Sequence, residues 1–357
     1  MASPTISQLL EHQKPKTLSQ EQVDSFMKHG FLRIPGAIIP EKGEMWTKNV
    51  WNRLGMDPND VSTWHTERTN MPQHHRIPVA EVAPAAWSAI CELCGGEDRV
   101  SDGGRQWSDG FIVNLGKPEY EGKRVMPKDL DNWHVDGDFF IHFLDSPEQA
   151  LLVIPCWSDV ESNGGATWIC DEGPARIGKH LYDHPEGVTP RMSPRSTDPD
   201  QGRGTLEFFI ETVRQCPDES FHEMTGKKGD VILMHPLMLH SASKNARRLA
   251  RIITNPPVSL TSPFVFSRAN PADYSLIELK TMAAVGGEHA PEMFKDWKIT
   301  RERELVVPER VRRQQKMLAE ENERLRKLGL MGADEGISQA PQIFEVSKAG
   351  KEAKVGA

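Results

Sequence analysis

The sequence predicts a mainly β fold with flanking helices, arranged as a double-stranded β-helix, also called a jelly roll. Two observations support this prediction. Short apolar segments bounded by glycines follow one another between Phe111 and Val258, as expected for antiparallel strands joined by turns. The residues before this region carry helix signals, and the densely charged residues after it are typical of a further helix.

A helix is expected near the N-terminus over residues 20–29. Ser19 supplies the N-cap, and Gln22 stands at the capping-box position. Gly30 ends this helix, since glycine commonly follows the last helical turn. The next residues, 31–34, have the sequence Phe-Leu-Arg-Ile and are predicted to form the first strand.

Two further helices are expected before the β region, over residues 40–56 and 84–94. Between them His74 and His75 lie in a loop bracketed by prolines. The prediction for both histidines is a solvated side chain rather than contact with a substrate.

Length and composition limit the classes of function. The chain has 357 residues, which fits one enzyme domain with extra loops and a tail. It carries 43 basic and 51 acidic residues and a formal charge of −8, which argues against a general nucleic-acid partner. No stretch approaches the ~20 apolar residues of a membrane-spanning helix. With no apolar signal segment at the start and Val-Gly-Ala at the end, rather than a peroxisomal address, we expect a cytoplasmic protein.

The five cysteines indicate a reduced compartment. Cys91 and Cys94 form a Cys-x-x-Cys pair, but the sequence has no second such pair to complete a zinc site, so a zinc half-site is not expected. Cys156, Cys170 and Cys216 are predicted to be buried or partly buried thiols.

The segment Trp-His-Val-Asp-Gly-Asp at 133–138 carries the most informative residues. His134 and Asp136 are two apart, so on a strand both side chains leave the same face. His240 completes a set of two histidines and one carboxylate, which is typical of non-haem Fe(II) oxygenases. Arg251 follows eleven residues later, and its forked donors suit the far carboxylate of a dicarboxylic acid such as 2-oxoglutarate.

A His-x-Asp triplet alone is weak, because it also arises as a surface histidine beside a turn aspartate. The context strengthens it: an apolar strand after Gly229 leads to His240, and β-branched residues follow Arg251. His235 and His142 are rivals for the third ligand, with less suitable spacing. Asp138 is a rival for the carboxylate, although we expect it to orient the site or the substrate.

Residues 17–260 resemble the phytanoyl-CoA dioxygenase family of Fe(II)- and 2-oxoglutarate-dependent oxygenases. The resemblance rests on the opening helix and strand at 18–37, on Phe-Ile-Val-Asn at 111–114, on Asn-Gly-Gly-Ala-Thr-Trp-Ile at 163–169, and on the ligand motifs. The chain departs from the family pattern where Cys-Asp-Glu-Gly occupies 170–173 and where Ala242 replaces a frequent serine.

The resemblance implies a cupin-like jelly roll that binds Fe(II) through His134, Asp136 and His240, and 2-oxoglutarate through Arg251. Asn114 matches a family contact to the cosubstrate, and Thr167 is a further candidate. The implied reaction consumes O2 and 2-oxoglutarate and yields succinate and CO2. Hydroxylation of the substrate is the default outcome, with desaturation, ring closure and epoxidation as alternatives.

The chain is expected to divide into an oxygenase domain over 1–260, a helical extension over 261–332 and a disordered tail over 333–357. A polar, proline-rich insertion over 171–222 is either a lid or a surface loop. Val311, Leu318 and Leu325 have heptad spacing. Three repeats are too few for a coiled coil, so this helix is expected to lie on its own domain, with oligomer formation as the alternative.

A small, apolar organic substrate is expected, because aromatic residues crowd the dyad and no nucleic-acid module is present. The aromatic candidates for the pocket wall are Trp133, Trp157, Trp168, Phe139 and Phe143. Two other classes of function remain open: a non-catalytic, metabolite-binding jelly roll, and an oxygenase that acts on a macromolecule.

Overall fold

The computed structural model describes residues 3–195, 205–308 and 310–330. At the N-terminus, Ser19 and Gln22 form the predicted capping box, each bonding the other's backbone amide. Gly30 ends this helix in the left-handed conformation with φ of 74°. A strand begins at the next residue, so the prediction for residues 19–34 is confirmed.

The described residues contain eleven α-helices. They are α1 Ile6–Leu10, α2 Gln20–His29, α3 Pro40–Thr47, α4 Val50–Leu54, α5 Val79–Val82, α6 Pro84–Cys94, α7 Gly173–Asp183, α8 Glu207–Arg214, α9 Leu276–Gly286, α10 Ala290–Phe294 and α11 Arg310–Lys327. The helix expected over 40–56 is thus two helices. Asn49, at the N-cap of α4, leaves the helical conformation with ψ of 4° and separates them.

Twelve β-strands are present in the same part of the chain. They are β1 Phe31–Ile34, β2 Arg68–Asn70, β3 Arg76–Pro78, β4 Gln106–Ser108, β5 Ile112–Asn114, β6 Leu151–Pro155, β7 Thr167–Cys170, β8 Phe221–Met224, β9 Val231–Met234, β10 Leu239–Ala242, β11 Arg251–Ile253 and β12 Pro257–Val258. Helices hold more of the described residues than strands do, so the expected mainly β character applies to the region around the site.

The strands form four sheets in which every pair is antiparallel. The largest has the order β1-β9-β6-β12, and the others are β10-β7-β8, β11-β5-β2 and β3-β4. Antiparallel sheets with flanking helices are therefore confirmed. The closure of these sheets into a double-stranded β-helix stays a prediction.

An apolar cluster joins the sheets on the side that faces the site. Strands β6 and β9 contribute Leu152, Ile154, Ile232 and Met234, while β7 and β11 contribute Ile169 and Ile253. All six side chains are buried, as expected where two sheet faces pack together. Together they form a rigid base, on which short strands can hold functional side chains.

The insertion over 171–222 is largely ordered where it is described. Helix α7 packs against α9, and its Ile177 and Leu181 are buried in the main core. This packing disfavours a plain surface loop for that part of the segment. Residues 196–204 lie outside the described residues, as does the whole expected tail over 333–357.

Helix α11 lies on its own domain, as expected. It packs against α4, where Arg324 donates a hydrogen bond to the Arg53 carbonyl, and its Leu325 is buried. Val311 and Leu318 line a cavity within the chain. Oligomer formation through this helix stays an untested alternative. None of the helices in residues 3–195, 205–308 and 310–330 is both long and apolar enough to cross a membrane.

Candidate metal and cosubstrate site

The structure brings His134, Asp136 and His240 together. His134 and His240 face each other across an antiparallel bridge, with reciprocal backbone hydrogen bonds of 3.0 and 2.9 Å. Their rings are 4.3 Å apart between centroids. Asp136 Oδ1 lies 3.5 Å from His134 Nε2 and 3.6 Å from His240 Nε2. One potential ligand atom from each residue lies within 4.8 Å of the other two.

Local sequence explains why these side chains converge. Trp133 is fully buried in the hydrophobic core, and the residues that follow it, His134 and Asp136, line the cavity. The indole nitrogen of Trp133 donates a hydrogen bond to the Pro127 carbonyl at 2.9 Å, which anchors this segment.

The backbone fixes the orientation of both imidazoles. Nδ1 of His134 lies 2.8 Å from the Asn132 carbonyl, and Nδ1 of His240 lies 3.0 Å from the Met238 carbonyl. A carbonyl only accepts, so each Nδ1 carries the proton and each Nε2 presents a lone pair. Histidines that ligate metals are usually held in this way.

The Asp136 carboxylate accepts a hydrogen bond on its second oxygen, and its charge affects the pKa of His240. Asn255 Nδ2 donates to Asp136 Oδ2 at 3.1 Å. Burial lowers the pKa of His240, but the Asp136 charge offsets this and leaves the pKa above its ordinary value. Burial likewise raises the pKa of Asp136, and the neighbouring histidines reverse this and lower it. Two imidazole nitrogens and one carboxylate therefore fit a divalent transition metal.

The rival ligands have other partners. His235 is fully buried, with Nε2 2.8 Å from Thr281 Oγ1, and burial holds its pKa well below the ordinary value. His142 Nε2 bonds the Gly137 carbonyl at 2.8 Å, and burial lowers its pKa to about 4. Asp138 pairs with an arginine instead of joining the set.

Arg251 lines the same cavity, and one of its three guanidinium nitrogens has no partner among the described residues. Its side chain is 1% exposed; Nε donates to the Gly165 carbonyl at 2.8 Å and Nη1 to the Ile112 carbonyl at 3.2 Å. Nη2 is buried without a hydrogen-bond partner, and no described carboxylate pairs with this guanidinium. Burial, with the nearby charge of Arg68, lowers the pKa of Arg251 to about 9. A buried cation with a free donor fits an anionic ligand.

Asn114 has a different position from the one expected. It is absent from the cavity wall, and its Nδ2 donates to the backbone carbonyls of Ser243 at 2.8 Å and Gly165 at 3.5 Å. Its Oδ1 accepts from the Gly116 amide. The Asn114 amide therefore contacts backbone groups, and its contact with a cosubstrate stays a prediction. Asn114 faces Arg251 across the β5–β11 pair and supports its Gly165 anchor.

Thr167 does line the cavity, on β7, opposite Ala242 of β10. The cavity has a volume of about 940 Å³, and its wall includes His134, Asp136, His240 and Arg251. Of the five aromatic residues expected in its wall, only Phe139 is there. Trp133, Trp157 and Phe143 are buried in the core instead.

The sequence analysis did not identify the polar residues that line the rest of the cavity. Seven of them come from β2, the loop after it, the insertion and α11: Arg68, Asn70, Gln73, Arg191, Arg310, Gln314 and Gln315. Arg310 forms a two-bond ion pair with Asp138, at 2.6 and 2.8 Å. Arg310 and Gln314 are four residues apart, and this spacing could have indicated from the sequence that both side chains lie on one face of a helix.

His74 is also placed differently from the prediction. It is 4% exposed, and its Nε2 lies 2.9 Å from Glu321 Oε2 on α11. Arg53 donates to the same oxygen at 3.0 Å and pairs with Asp109 at 3.2 Å. The expectation of a solvated His74 is wrong because α11 covers it. This buried network fixes α11 beside the loop that carries Gln73.

All five cysteines are free thiols. Cys156, Cys170 and Cys216 are buried, as expected. Burial raises the pKa of Cys91 to about 11, which keeps that partly exposed thiol protonated and unreactive.

No protein-family model matches the sequence, and no curated protein matches it. Among solved structures, the chain is similar to the non-heme alpha ketoglutarate dependent carbocyclase SnoK from nogalamycin biosynthesis. The identity is 16%, with 69% of this chain and 87% of that chain covered and a TM-score of 0.37.

Two other similar structures are HygX from Streptomyces hygroscopicus with nickel and 2-oxoglutarate bound, and EctD from S. alaskensis with bound Fe. HygX is 13% identical, with 71% of this chain and 91% of that chain covered and a TM-score of 0.36. EctD is 17% identical, with 71% of this chain and 82% of that chain covered and a TM-score of 0.36. Likenesses this distant do not assign a family, cofactor or substrate to this chain.

Proposed function

We propose that the chain is an Fe(II)- and 2-oxoglutarate-dependent oxygenase of the phytanoyl-CoA dioxygenase type. One observation carries the proposal: the His134–Asp136–His240 set lines the same cavity as Arg251, whose Nη2 has no hydrogen-bond partner among the described residues. A metal set alone also suits a structural ion, and a buried arginine alone suits any anion. Their combination favours a metal with a chelating dicarboxylate.

Each residue then has a distinct task. His134, Asp136 and His240 would hold the iron, with Nε2 of both imidazoles already free and the carboxylate steadied by Asn255. Arg251 would hold the far carboxylate of 2-oxoglutarate through Nη2. When bound, iron with 2-oxoglutarate supplies the activation of O2, with succinate and CO2 as products and an oxidised substrate, by default a hydroxylated one.

The cavity wall favours a polar substrate rather than the apolar one expected from the sequence. The arginines Arg68 and Arg191 line it, and neither forms an ion pair with a described residue. The only acidic side chains among the described lining residues are Asp136 and Asp138, and Asp138 is paired with Arg310. We therefore propose a small substrate with an anionic group that these two arginines attract.

The two alternative classes make different predictions. A non-catalytic binding protein would bind the dicarboxylate but release no succinate. An oxygenase acting on a macromolecule needs an open groove; here α11 and the insertion, through Leu318 and Arg191, both contribute to the cavity wall. A cavity of about 940 Å³ is also of the size that small-molecule sites have.

The test is succinate formation from 2-oxoglutarate by the iron-loaded protein in air. Wild type should release succinate slowly without substrate, and Asp136→Ala should release none, since the carboxylate ligand is lost. Asp131→Ala is the matched control: it removes an exposed carboxylate five residues away and should behave as wild type. Equal rates in wild type and Asp136→Ala would refute the assignment of the metal ligand.

The substrate class is tested separately with a metabolite extract divided by anion exchange. The proposal expects a gain of one oxygen in a retained, anionic compound, and a higher KM for that compound in Arg191→Gln. Turnover confined to compounds that are not retained would exclude the anionic substrate while leaving the oxygenase assignment intact.

A further inference from the structure

A second group of potential ligands lies outside the cavity described above. Asp171 Oδ2 is 2.7 Å from His29 Nδ1 and 2.9 Å from His222 Nε2. The three ligand atoms lie within 4.8 Å of one another, as in the first set. The side chains are 15–30% exposed, so water can reach the group.

Three separate elements fix this arrangement. His29 is the last residue of α2, Asp171 directly follows β7, and His222 lies on β8. The β7–β8 register pairs Ile169 with His222, and the Asp171 amide donates to the Ser220 carbonyl at 3.0 Å. Both imidazoles are therefore held by ordered backbone near one carboxylate.

Aromatic packing restricts the two rings further. The ring of Phe31 lies 6.0 Å from that of His29 and 5.5 Å from that of His222, centroid to centroid. The two imidazoles are 5.3 Å apart and nearly perpendicular, at 72°. Such rings lose little additional freedom when they bind a ligand, which lowers the entropic cost of binding.

The charges around the group favour a cation and include one opposing group. His29 lies at the C-terminus of α2, where unpaired carbonyls attract positive charge. Lys280 already donates to two of these carbonyls, those of Met27 and Lys28, at 2.9 Å each. Its ammonium reduces the attraction for a further cation. Burial lowers the pKa of Lys280 to about 8, which weakens this opposition above that pH.

We propose that His29, Asp171 and His222 form a second site for a divalent transition metal, with zinc as the best fit. Imidazole nitrogen and carboxylate oxygen are zinc ligands with bonds near ~2.0–2.2 Å, so two of them on a tetrahedral ion lie roughly 3.3 Å apart. The observed nitrogen–oxygen distances need only a small outward movement to reach that spacing. Water would complete the coordination.

The bound metal would be structural. It connects the end of α2 to the edge of the β7–β8 pair, and it lies outside the iron cavity, whose wall contains none of these three residues. A ligand that binds the folded state alone stabilises it in proportion to its concentration relative to Kd. Zinc should therefore raise the melting temperature of the full-length protein through this site.

The experiment uses zinc and a variant without the first site. In Asp136→Ala/His240→Ala, equilibrium dialysis should show one zinc per chain, and this binding should be lost on adding His222→Ala or Asp171→Asn. Asp171→Asn keeps a hydrogen-bond acceptor beside the two histidines, so it distinguishes the loss of a metal ligand from the loss of the hydrogen bonds. The matched control is His289→Ala, which removes an exposed histidine and should leave one zinc bound.

The thermal readout gives the decisive comparison. We expect zinc to raise the melting temperature of Asp136→Ala/His240→Ala but not of the same protein with Asp171→Asn, although both melt cooperatively without metal. Zinc binding that persists with His29→Ala and His222→Ala combined, or no zinc binding in Asp136→Ala/His240→Ala, would overturn the proposal. Neither result affects the oxygenase assignment, which depends on the other three ligands.

Discussion

Removal of Glu321 tests whether the C-terminal helix is a fixed part of the cavity. Glu321 is 5% exposed, and its Oε2 accepts from Arg53 Nε at 3.0 Å and from His74 Nε2 at 2.9 Å. Glu321→Ala leaves both donors buried beneath α11 without this partner. Arg53 keeps one acid, Asp109, at 3.2 Å.

The expected loss follows from these contacts. Breaking a buried ion pair by removing one partner costs about 3–5 kcal/mol. Because Asp109 still compensates Arg53, we expect the lower end for Glu321→Ala, about 3 kcal/mol. Glu321→Gln keeps one acceptor and loses only the charge, so about 2 kcal/mol is expected, a factor of roughly 30 in the local opening equilibrium.

Hydrogen exchange along α11, Arg310–Lys327, is the appropriate assay because it reports opening of the helix without global unfolding. The matched control is Glu320→Gln, at the preceding residue of the same helix. Glu320 is exposed and lies 3.8 Å from Lys316, so its loss should cost at most about 0.5 kcal/mol.

A functional readout accompanies the exchange measurement. Since Val311 and Leu318 line the cavity, the substrate KM should rise in Glu321→Gln while 2-oxoglutarate binding is unchanged. Equal exchange rates along α11 in Glu321→Gln and Glu320→Gln would refute the reasoning, because the buried network would then not hold the helix in place.

Two further predictions concern the site itself. Gly165 has φ of +81°, and an added Cβ would lie 2.7 Å from Asn114 Nδ2. Gly165→Ala should displace the carbonyl that anchors Arg251 and weaken 2-oxoglutarate binding about tenfold, or ~1.4 kcal/mol. The control in the same titration is Gly122→Ala, because Gly122 also has a positive φ but has open space around an added Cβ. Because the pKa of His240 is raised, protons should begin to compete with the metal for this imidazole at a higher pH than for an ordinary histidine. The metal affinity should therefore fall as the pH falls. In the metal-free protein, the raised pKa of His240 stabilises the fold at low pH, and this stabilisation is lost as the pH rises through that pKa. Urea midpoints of wild type that do not change with pH would contradict this.

The first strand and the grouping of the candidate site residues were predictable from short-range patterns in the sequence. His134 and Asp136 are two residues apart on one face, and the segments around His240 and Arg251 have strand composition. The capping box at Ser19 was equally local. Because these signals lie within a few residues of each other, the sequence contains them in full.

Long-range packing was not predictable. Arg310 meets Asp138 across 172 positions, and Glu321 meets His74 across 247, so no local pattern indicates either pair. For the same reason, His74 was expected in solvent and the cavity was expected to be aromatic. Asn114 matched a motif, yet its amide is occupied by backbone groups that only the folded chain brings near.

The most direct test of the central claim is a titration of 2-oxoglutarate into the iron-loaded protein without oxygen. The account predicts one 2-oxoglutarate per chain in wild type and in Arg247→Lys, whose arginine forms an ion pair with Glu161. Arg251→Lys should bind at least tenfold more weakly, because lysine cannot reproduce the forked guanidinium contact. Asp136→Ala should lose the iron on which binding depends. Undiminished binding in Arg251→Lys would contradict the claim that this buried guanidinium and the three ligands form one site.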